Sequence, residues 1–258
     1  MERSTSASGL FCGTRLTTAP ITVVFVHGAM DRGAAFLRCA RMLPNISWIV
    51  YDRRGYGRSK CATTPTFDTH RDDLVKILEE ERKRSAGLIV VVGHSIGGTL
   101  ALAAAAARPD LVDSLVVYEC PIPWTPRSAT LSGTTNGKPE EPPDVAAERF
   151  MRSIIGDAEW ESLPLATRTQ RLSEGIVLQS EFVSVSAQPL FELADVVCPV
   201  VLGRSTDAPH HRADTTTHLD AELVHAEVMM IENAPHGAHS RRPDDFVRLV
   251  RRSCELAH

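Results

Sequence analysis

The stretch from residue 88 to residue 98 holds the residue types and spacing best suited to nucleophilic chemistry. It runs Leu-Ile-Val-Val-Val-Gly-His-Ser-Ile-Gly-Gly, and its serine, Ser95, has a glycine two positions before it and two after it. The β-branched run before the serine and the alanine-rich run 99–107 after it predict a buried strand, a sharp turn and a helix. Glycines are needed because Cβ atoms there would crowd the turn. Ser95 is the predicted nucleophile, with the Ile96 N–H at the helix start to hold an oxyanion.

A serine hydroxyl is a poor nucleophile at neutral pH and needs a base that is itself oriented by a carboxylate. Of the ten histidines, His236 follows the last predicted strand and precedes the terminal helix. Ligands bind at the carboxyl ends of the strands in open α/β sheets, so His236 is the predicted base and His239 the second choice. The segment His-Gly-Ala-Met after the first parallel strand predicts a second oxyanion N–H, from Ala29 or alternatively Met30.

Strand and helix patterns alternate along most of the chain and predict an α/β fold, a mostly parallel sheet with helices on both faces. The predicted strands are 10–17, 21–26, 46–51, 88–93, 114–118, 200–202 and 227–231, and the predicted helices are 33–43, 68–84, 99–107, 214–223 and a terminal helix from 243. Asp31 is predicted to cap the helix over 33–43. Residues 1–9 are predicted to be disordered.

The alternation breaks at Cys120. Six prolines fall at positions 121, 123, 126, 139, 142 and 143. With their Gly, Ser and Thr neighbours they predict a mobile loop. Short helices are predicted beyond it, over 144–155, 158–163 and 166–182. The chain is therefore predicted to have a core, residues 1–120 and 191–258, and an inserted helical lid, residues 121–190.

Composition narrows the class of partner. The net charge of −4 over 258 residues, with no long basic run, disfavours nucleic acid or an anionic membrane as the main partner. No stretch has the pattern of a signal peptide or the length of a membrane span, which predicts a cytoplasmic protein without a stable membrane anchor. The six cysteines form no Cys-x-x-Cys pair, so neither a zinc site nor a disulfide framework is predicted. The expected partner is a small-molecule substrate, and both a monomer and a homodimer stay open.

Taken together, the motifs resemble those of the α/β-hydrolase superfamily. In chain order they are a strand followed by His-Gly, then Asp-Arg-Arg-Gly-Tyr-Gly-Arg-Ser, Gly-His-Ser-Ile-Gly-Gly, a lid, and Pro-His-Gly-Ala-His before Arg-Pro-Asp-Asp-Phe. The resemblance covers nearly the whole chain outside the lid. It implies an eight-stranded, mostly parallel sheet, a triad in the order serine, acid, histidine, and no cofactor. Ser95 and His236 occupy the family's nucleophile and base positions.

Two carboxylates fit the acid position that the resemblance implies. The usual acid lies a few residues after a glycine that ends the penultimate strand, and Asp207 is one residue later than the commonest spacing. Haloalkane dehalogenases instead place the acid after the strand that precedes the lid, where this chain has Glu119. The resemblance therefore favours Asp207, with Glu119 as the alternative acid. Because the nucleophile is serine and not aspartate, dehalogenase and epoxide-hydrolase chemistry is disfavoured.

These residues predict a serine hydrolase that cleaves a carboxylic ester or a related acyl bond through an acyl-enzyme. A C–C bond hydrolase, an amidase or lactonase, and a cofactor-free perhydrolase stay open as related activities. A non-catalytic ligand receptor on the same fold is the alternative from a different class, because fold does not imply function. A serine with both a base and an acid argues against that alternative.

Overall fold

The structure, a computed structural model, describes residues 1–6, 8–122, 124, 141–186 and 189–258. The strands are β1 Glu2–Thr5, β2 Phe11–Arg15, β3 Ile21–Val26, β4 Ser47–Tyr51, β5 Leu88–His94, β6 Ser114–Tyr118, β7 Val200–Ser205 and β8 Ala226–Ile231. Within the described residues they form one eight-stranded sheet in the order β1-β2-β4-β3-β5-β6-β7-β8. From β4 to β8 all neighbours pair in parallel, and β2 is antiparallel to β1 and β4. The predicted mostly parallel sheet is confirmed.

Most helices lie close to their predicted positions, and the short helix Ala238–Arg241 is not predicted from the sequence. They are α1 Leu37–Arg41, α2 Phe67–Arg84, α3 Ile96–Ala107, α4 Pro143–Ile155, α5 Asp157–Ser162, α6 Leu165–Ser173, α7 Gly175–Ser186, α8 His210–Glu222, α9 Ala238–Arg241 and α10 Pro243–Leu256. The predicted helix over 166–182 is two helices, α6 and α7, that meet at Glu174. No helix of the described residues is both long and apolar enough to cross a membrane.

Two predictions near the start of the chain are wrong. Residues 1–9 are predicted to be disordered, but Glu2–Thr5 form β1, whose backbone pairs with β2. Every residue of this edge strand is exposed, so no alternation of apolar and polar residues marks the strand in the sequence. Asp31 does not cap a helix, because Gly33–Phe36 form a 3-10 turn with Arg32 at its N-cap. The Asp31 carboxylate lies instead beside His239, with 3.0 Å between Oδ2 and Nε2.

Apolar side chains of the central strand alternate between the two faces of the sheet. Ile89 and Val91 belong to the core cluster that includes α2 and α3, whereas Val90 and Val92 belong to the cluster that includes α1 and α10. A slip of one residue would exchange these faces, so burial on both sides fixes the register of β5 against its neighbours. Because β3, β5, β6, β7 and β8 run in parallel, the loops that follow them begin at the same edge of the sheet, its carboxyl edge. These loops carry the candidate site residues.

Helices α4–α7, residues 143–186, lie between β6 and β7 in the chain and are called the cap helices below. Most of the proline-rich loop, residues 125–140, falls outside the described residues. Glu174, between α6 and α7, is buried against the core. Arg32 Nη2 donates to both of its carboxylate oxygens, at 2.6 and 2.7 Å, and Gly57 N donates to Oε1 at 3.0 Å. The cap helices are therefore joined to the core by charged contacts.

A second cap glutamate, Glu181, is fully buried among core side chains. Arg53 Nη1 donates to its Oε1, and Tyr56 Oη donates to its Oε2 at 2.9 Å. His70 Nε2 lies 3.1 Å from Oε1. Burial opposes ionisation, but the Arg53 charge and the His70 hydrogen bond outweigh it and lower the pKa of Glu181 to about 2. The cap is thus held by a buried ion pair that needs both of its charges.

We expect Glu181→Gln to lower the free energy of unfolding by on the order of 3 kcal/mol, because it leaves the Arg53 guanidinium buried without its counter-charge. Urea unfolding of the two proteins measures the loss. Glu161→Gln is the matched control. Glu161 is also a cap glutamate in ion pairs, here with Arg152 and Arg168, but its side chain is 55% exposed. Solvent screens such pairs, so the control should unfold like the parent. Equal losses in the two variants would contradict a special role for the buried pair.

Candidate active site

Ser95 lies between the end of β5 and the start of α3, in a strained backbone conformation. Its φ is 53° and its ψ is −132°, a region that side-chain-bearing residues rarely adopt. A Cβ at Gly93 would collide with the backbone of Gly97, and a Cβ at Gly97 would collide with the carbonyl of Val26. The strand, turn and helix that the sequence predicts are therefore present, and both flanking glycines have a steric reason.

The turn leaves Ser95 partly exposed, although the residues on either side of it are buried. Its N–H donates to the carbonyl of Tyr118, at 2.9 Å, which places the serine beside the end of β6. Among the described residues, no group hydrogen-bonds Ser95 Oγ. Catalytic hydrogen bonds are often long or unmade until substrate binds. The serine is thus accessible and lies next to the strand that carries Glu119.

His236 follows β8 and is paired with Glu119. Its Nδ1 lies 2.7 Å from Glu119 Oε2, and its side chain is 14% exposed. The His236 carbonyl accepts a hydrogen bond from Nε2 of His94, at 2.9 Å, and the two rings are 4.5 Å apart. Since His94 directly precedes Ser95, this bond ties the histidine loop to the serine turn. A carboxylate accepts the Nδ1 proton, so Nε2 of His236 carries the lone pair.

Glu119 is the first residue after β6, and its side chain is 1% exposed. Its φ of 46° is strained for a residue other than glycine. Oε1 accepts from the N–H of Ser205 at 3.1 Å, while Oε2 accepts from His236 and from Arg212 Nη1 at 3.0 Å. The carboxylate is therefore fixed by donors on both oxygens and faces the imidazole.

The structure does not bring Asp207, the favoured acid, to His236. Asp207 is exposed in the turn after β7, and its own N–H donates to Ser205 Oγ at 3.1 Å. The same hydroxyl accepts from the N–H of Ala234 at 3.0 Å, so Ser205 closes the turn and leaves the Asp207 side chain in solvent. The predicted contact of Asp207 with His236 is therefore absent, and the alternative acid, Glu119, makes that contact instead.

Burial opposes the charged forms of both partners. For Glu119 it is outweighed by the hydrogen bond and charge of His236, with help from the Ser205 N–H and Arg212, so the pKa lies below its ordinary value. For His236 burial is the largest influence. It lowers the pKa below 6.5, Glu119 partly offsets it, and Arg212 adds to it. At pH 7 the pair is a carboxylate beside a neutral imidazole, which is the state that a general base needs.

His27 and Arg53 hold the loop that follows β3. Nε2 of the fully buried His27 accepts from the N–H of Arg53 at 2.9 Å, and its Nδ1 lies 2.7 Å from the carbonyl of Gly28. Arg53 donates back to the carbonyls of His27 and Gly28, at 2.9 and 3.0 Å. Burial and the Arg53 charge put the pKa of His27 well below its ordinary value. His27 is a structural hydrogen-bonding residue, neutral at pH 7.

This loop carries Ala29 and its alternative Met30, one of which is predicted to supply the second oxyanion N–H, and it lies against the serine turn. A Cβ at Gly28 would lie 3.1 Å from Ser95 Cβ, so the loop and the serine turn are in close contact. Ala29 is partly buried, and Met30 is buried with a left-handed φ of 56°. Ile96 is the first residue of α3, where N–H groups have no carbonyl partner within the helix. The loop after β3 and the first residue of α3 thus both lie next to Ser95.

His239, the second choice for the base, belongs to a different pair. Its side chain is 3% exposed, and its Nε2 lies 3.0 Å from Asp31 Oδ2. Ligand atoms of Asp31, His94 and His239 lie within 4.8 Å of one another. Hydrogen bonds account for the arrangement, since His239 bonds Asp31 and His94 bonds His236. We assign no metal to it, and His239 is too buried to meet a substrate.

Two arginines of the site, Arg53 and Arg212, are not predicted from the sequence. Arg53 sits in Asp-Arg-Arg-Gly, where the glycines predict a turn, and Arg212 sits near the start of α8. The sequence signal for the Arg53 pair lies in its partner, Glu181. In α7, Glu181 is the one charged residue in an otherwise uncharged run. A lone charge in such a run indicates a buried ion pair. Arg212 has no comparable signal, since arginines are common on exposed helices.

Comparisons with known proteins agree with this fold. A family model described as the alpha/beta hydrolase family matches residues 23–249. An sn-1-specific diacylglycerol lipase of Danio rerio is 24% identical over 246 residues, which is 88% of this chain and 76% of that protein. The lipase LipV of Mycobacterium tuberculosis is 38% identical over 102 residues, which is 40% of this chain and only 38% of that protein.

Solved structures show the same architecture. A thermophilic esterase of Thermogutta terrifontis matches with a TM-score of 0.72, over 100% of both chains and at 19% identity. A bromoperoxidase of Bacillus anthracis matches with a TM-score of 0.75, over 98% of this chain and 100% of that chain, at 16% identity. At such identities these structures show the fold alone.

Proposed function

Because the chain belongs to the alpha/beta hydrolase family, we propose that it is a serine hydrolase that cleaves a carboxylic ester or a related acyl bond of a small molecule. In this proposal Ser95 is the nucleophile, His236 is the general base and acid, and Glu119 is the orienting carboxylate. One observation carries it: the 2.7 Å contact between His236 Nδ1 and Glu119 Oε2, beside a serine in a strained turn. Relatives named as lipases support hydrolase activity.

The chemistry follows from the tautomer that Glu119 imposes. With one proton on Nδ1 of His236, Nε2 accepts the hydroxyl proton of Ser95 while Ser95 Oγ bonds to the substrate carbonyl carbon. The tetrahedral intermediate then loses the alcohol, which takes that proton from His236, and an acyl-enzyme remains on Ser95. A water molecule deprotonated by His236 attacks the acyl carbon, and the acid then departs as His236 returns that proton to Ser95 Oγ.

The oxyanion formed at each addition step needs donors that are already in place. We propose the N–H groups of Ala29 and Ile96, with Met30 as the alternative to Ala29. The bonds from Arg53 to the loop after β3 support this role, because they hold the loop against the serine turn before substrate binds. Preorganised donors cost no reorganisation during the reaction, and loss of one donor costs about 10²–10³ in rate.

An apolar cluster joins the oxyanion loop to the cap helices. Its buried members are Met30, Tyr56, Ala147, Met151, Trp160, Val177 and Leu178. Ala29 packs against the same cluster, next to the proposed reaction centre. Small-molecule sites are lined mainly by apolar side chains with a few placed polar groups. The proposed substrate is therefore an ester with an apolar acyl or alcohol group.

Hydrolysis of p-nitrophenyl esters of increasing acyl length tests the proposal. We expect His236→Ala to lower kcat/KM by on the order of 10⁶, because the nucleophile and the base of a triad act as a unit. His239→Ala removes only the Asp31 pair and should cost less than about tenfold, since single hydrogen bonds contribute about 1 kcal/mol. Burial lowers the pKa of His236 below its ordinary value, so the base is neutral at pH 7 and the wild-type rate falls only at a more acidic pH than an ordinary imidazole would give. A greater loss in His239→Ala than in His236→Ala would move the base to His239.

A further inference from the structure

Arg212 lies in the first turn of α8 and reaches the carboxylate that orients His236. Its Nη1 is 3.0 Å from Glu119 Oε2, the same oxygen that lies 2.7 Å from His236 Nδ1. The Arg212 side chain is 22% exposed, and its guanidinium contacts the Glu119 carboxylate, whose side chain is 1% exposed. The turn after β7, which leaves Asp207 in solvent, thus leads into a helix that supplies a cation.

We propose that Arg212 is a positioning residue for the proposed reaction, one that fixes the Glu119 carboxylate toward His236 and places a permanent positive charge beside the pair. This inference rests on the proposed function. Within the described residues the side-chain hydrogen bond of Arg212 goes to Glu119, so it acts through that carboxylate.

Hydrogen bonding gives the first reason. Glu119 receives the Ser205 N–H on Oε1 and two side-chain donors on Oε2. If Arg212 is removed, Oε2 keeps His236 as its single donor among the described residues. Hydrogen bonds between charged groups are among the stronger ones in proteins, so loss of this bond loosens the orientation of the carboxylate.

The charge gives the second reason. The groups that face the pair, element by element, are Glu119 after β6 and Tyr118 at the end of that strand, His94 at the end of β5, Arg212 and His211 on α8, and His239 on α9 with its partner Asp31. Burial keeps the pKa of His94 well below its ordinary value, so His94 is neutral at pH 7. Arg212 is the permanent cation of this group, and it disfavours protonation of His236.

A titration of His236 tests the inference without relying on turnover. In a Ser95→Ala background, the imidazole signals of His236 are followed by NMR against pH and assigned by their loss in Ser95→Ala/His236→Gln. We expect Arg212→Met to raise the midpoint pH of the His236 titration, because a nearby cation is gone. The midpoint in Arg212→Lys should stay near that of the parent. Arg248→Met removes an exposed arginine of α10 and is the control. An unchanged midpoint in folded Arg212→Met would overturn the inference. If Arg212→Met does not fold, Arg212→Gln replaces it with the same two outcomes.

Kinetics in the Ser95 enzyme supply the second readout. We expect kcat/KM of Arg212→Met to fall on the order of tenfold near pH 6, with a smaller loss near pH 8.5, where His236 is neutral in both proteins. A loss of the same size at every pH, with no change in midpoint, would mean a merely structural role and would overturn the inference. Failure of the proposed function looks different: ester turnover would be absent in the wild type, or undiminished in Ser95→Ala, whatever the His236 midpoint does.

Discussion

Ester turnover should fall by on the order of 10⁶ in Ser95→Ala, the size of effect seen when the nucleophile of a triad is removed. The reason is that the acyl-enzyme forms on Ser95 Oγ, and the remaining groups can only bind substrate and hold the oxyanion. Initial rates on p-nitrophenyl butyrate measure the loss, with thermal melting to show that the fold is kept. Alanine has the same Cβ as serine, so the strained backbone at φ 53° meets no new contact.

Ser153→Ala is the control for this experiment. Ser153 is exposed on α4, and its hydroxyl donates to the carbonyl of Phe150 at 2.6 Å. It is part of neither the proposed triad nor the oxyanion loop, so its turnover should equal that of the wild type. If Ser95→Ala retained turnover comparable to this control, Ser95 would not be the nucleophile and the proposed mechanism would fail.

Glu119→Gln should lower turnover by on the order of 10⁴, as when the acid of a Ser–His–Asp triad becomes an amide. A glutamine keeps the size of the side chain, but its amide cannot hold the Nδ1 proton of His236 as a carboxylate does. The base is then held in the wrong tautomer, and the imidazolium that forms in the transition state loses its counter-charge. Steady-state kinetics of folded Glu119→Gln measure the effect.

Asp207→Asn is the matched comparison, because Asp207 holds the acid position that the family resemblance favours. Its side chain is exposed and does not reach His236, so the change should alter turnover by less than about threefold, as for surface substitutions with little free-energy effect. An inactive Asp207→Asn together with an active Glu119→Gln would return the role of the acid to Asp207.

Local patterns explain which features could be predicted from the sequence. Strands Ile21–Val26 and Ser114–Tyr118 have their predicted bounds, because continuous apolar runs end where turn residues begin. The serine turn was equally predictable, since the glycines at 93 and 97 are required by backbone contacts within a few residues. The choice of His236 as the predicted base rests on its place after the last parallel strand.

Long-range contacts explain what the sequence does not show. The choice between Asp207 and Glu119 depends on how Ser205 Oγ closes the turn after β7, with one donor from Asp207 and one from Ala234. The Arg53–Glu181 pair joins residues 128 positions apart, so no local period marks it. Such pairings are set by packing of the cap helices on the core, which spacing in the chain does not encode.

Covalent labelling by a fluorophosphonate tests the central claim most directly, because the reagent reacts with a serine only when a base activates it. Intact-mass measurement followed by peptide mapping should show one adduct, on Ser95, in the wild type. The adduct should be absent in Ser95→Ala and form far more slowly in His236→Ala and Glu119→Gln, while Asp207→Asn labels like the wild type. A folded wild-type protein that forms no adduct, or forms it at another residue, would contradict the account.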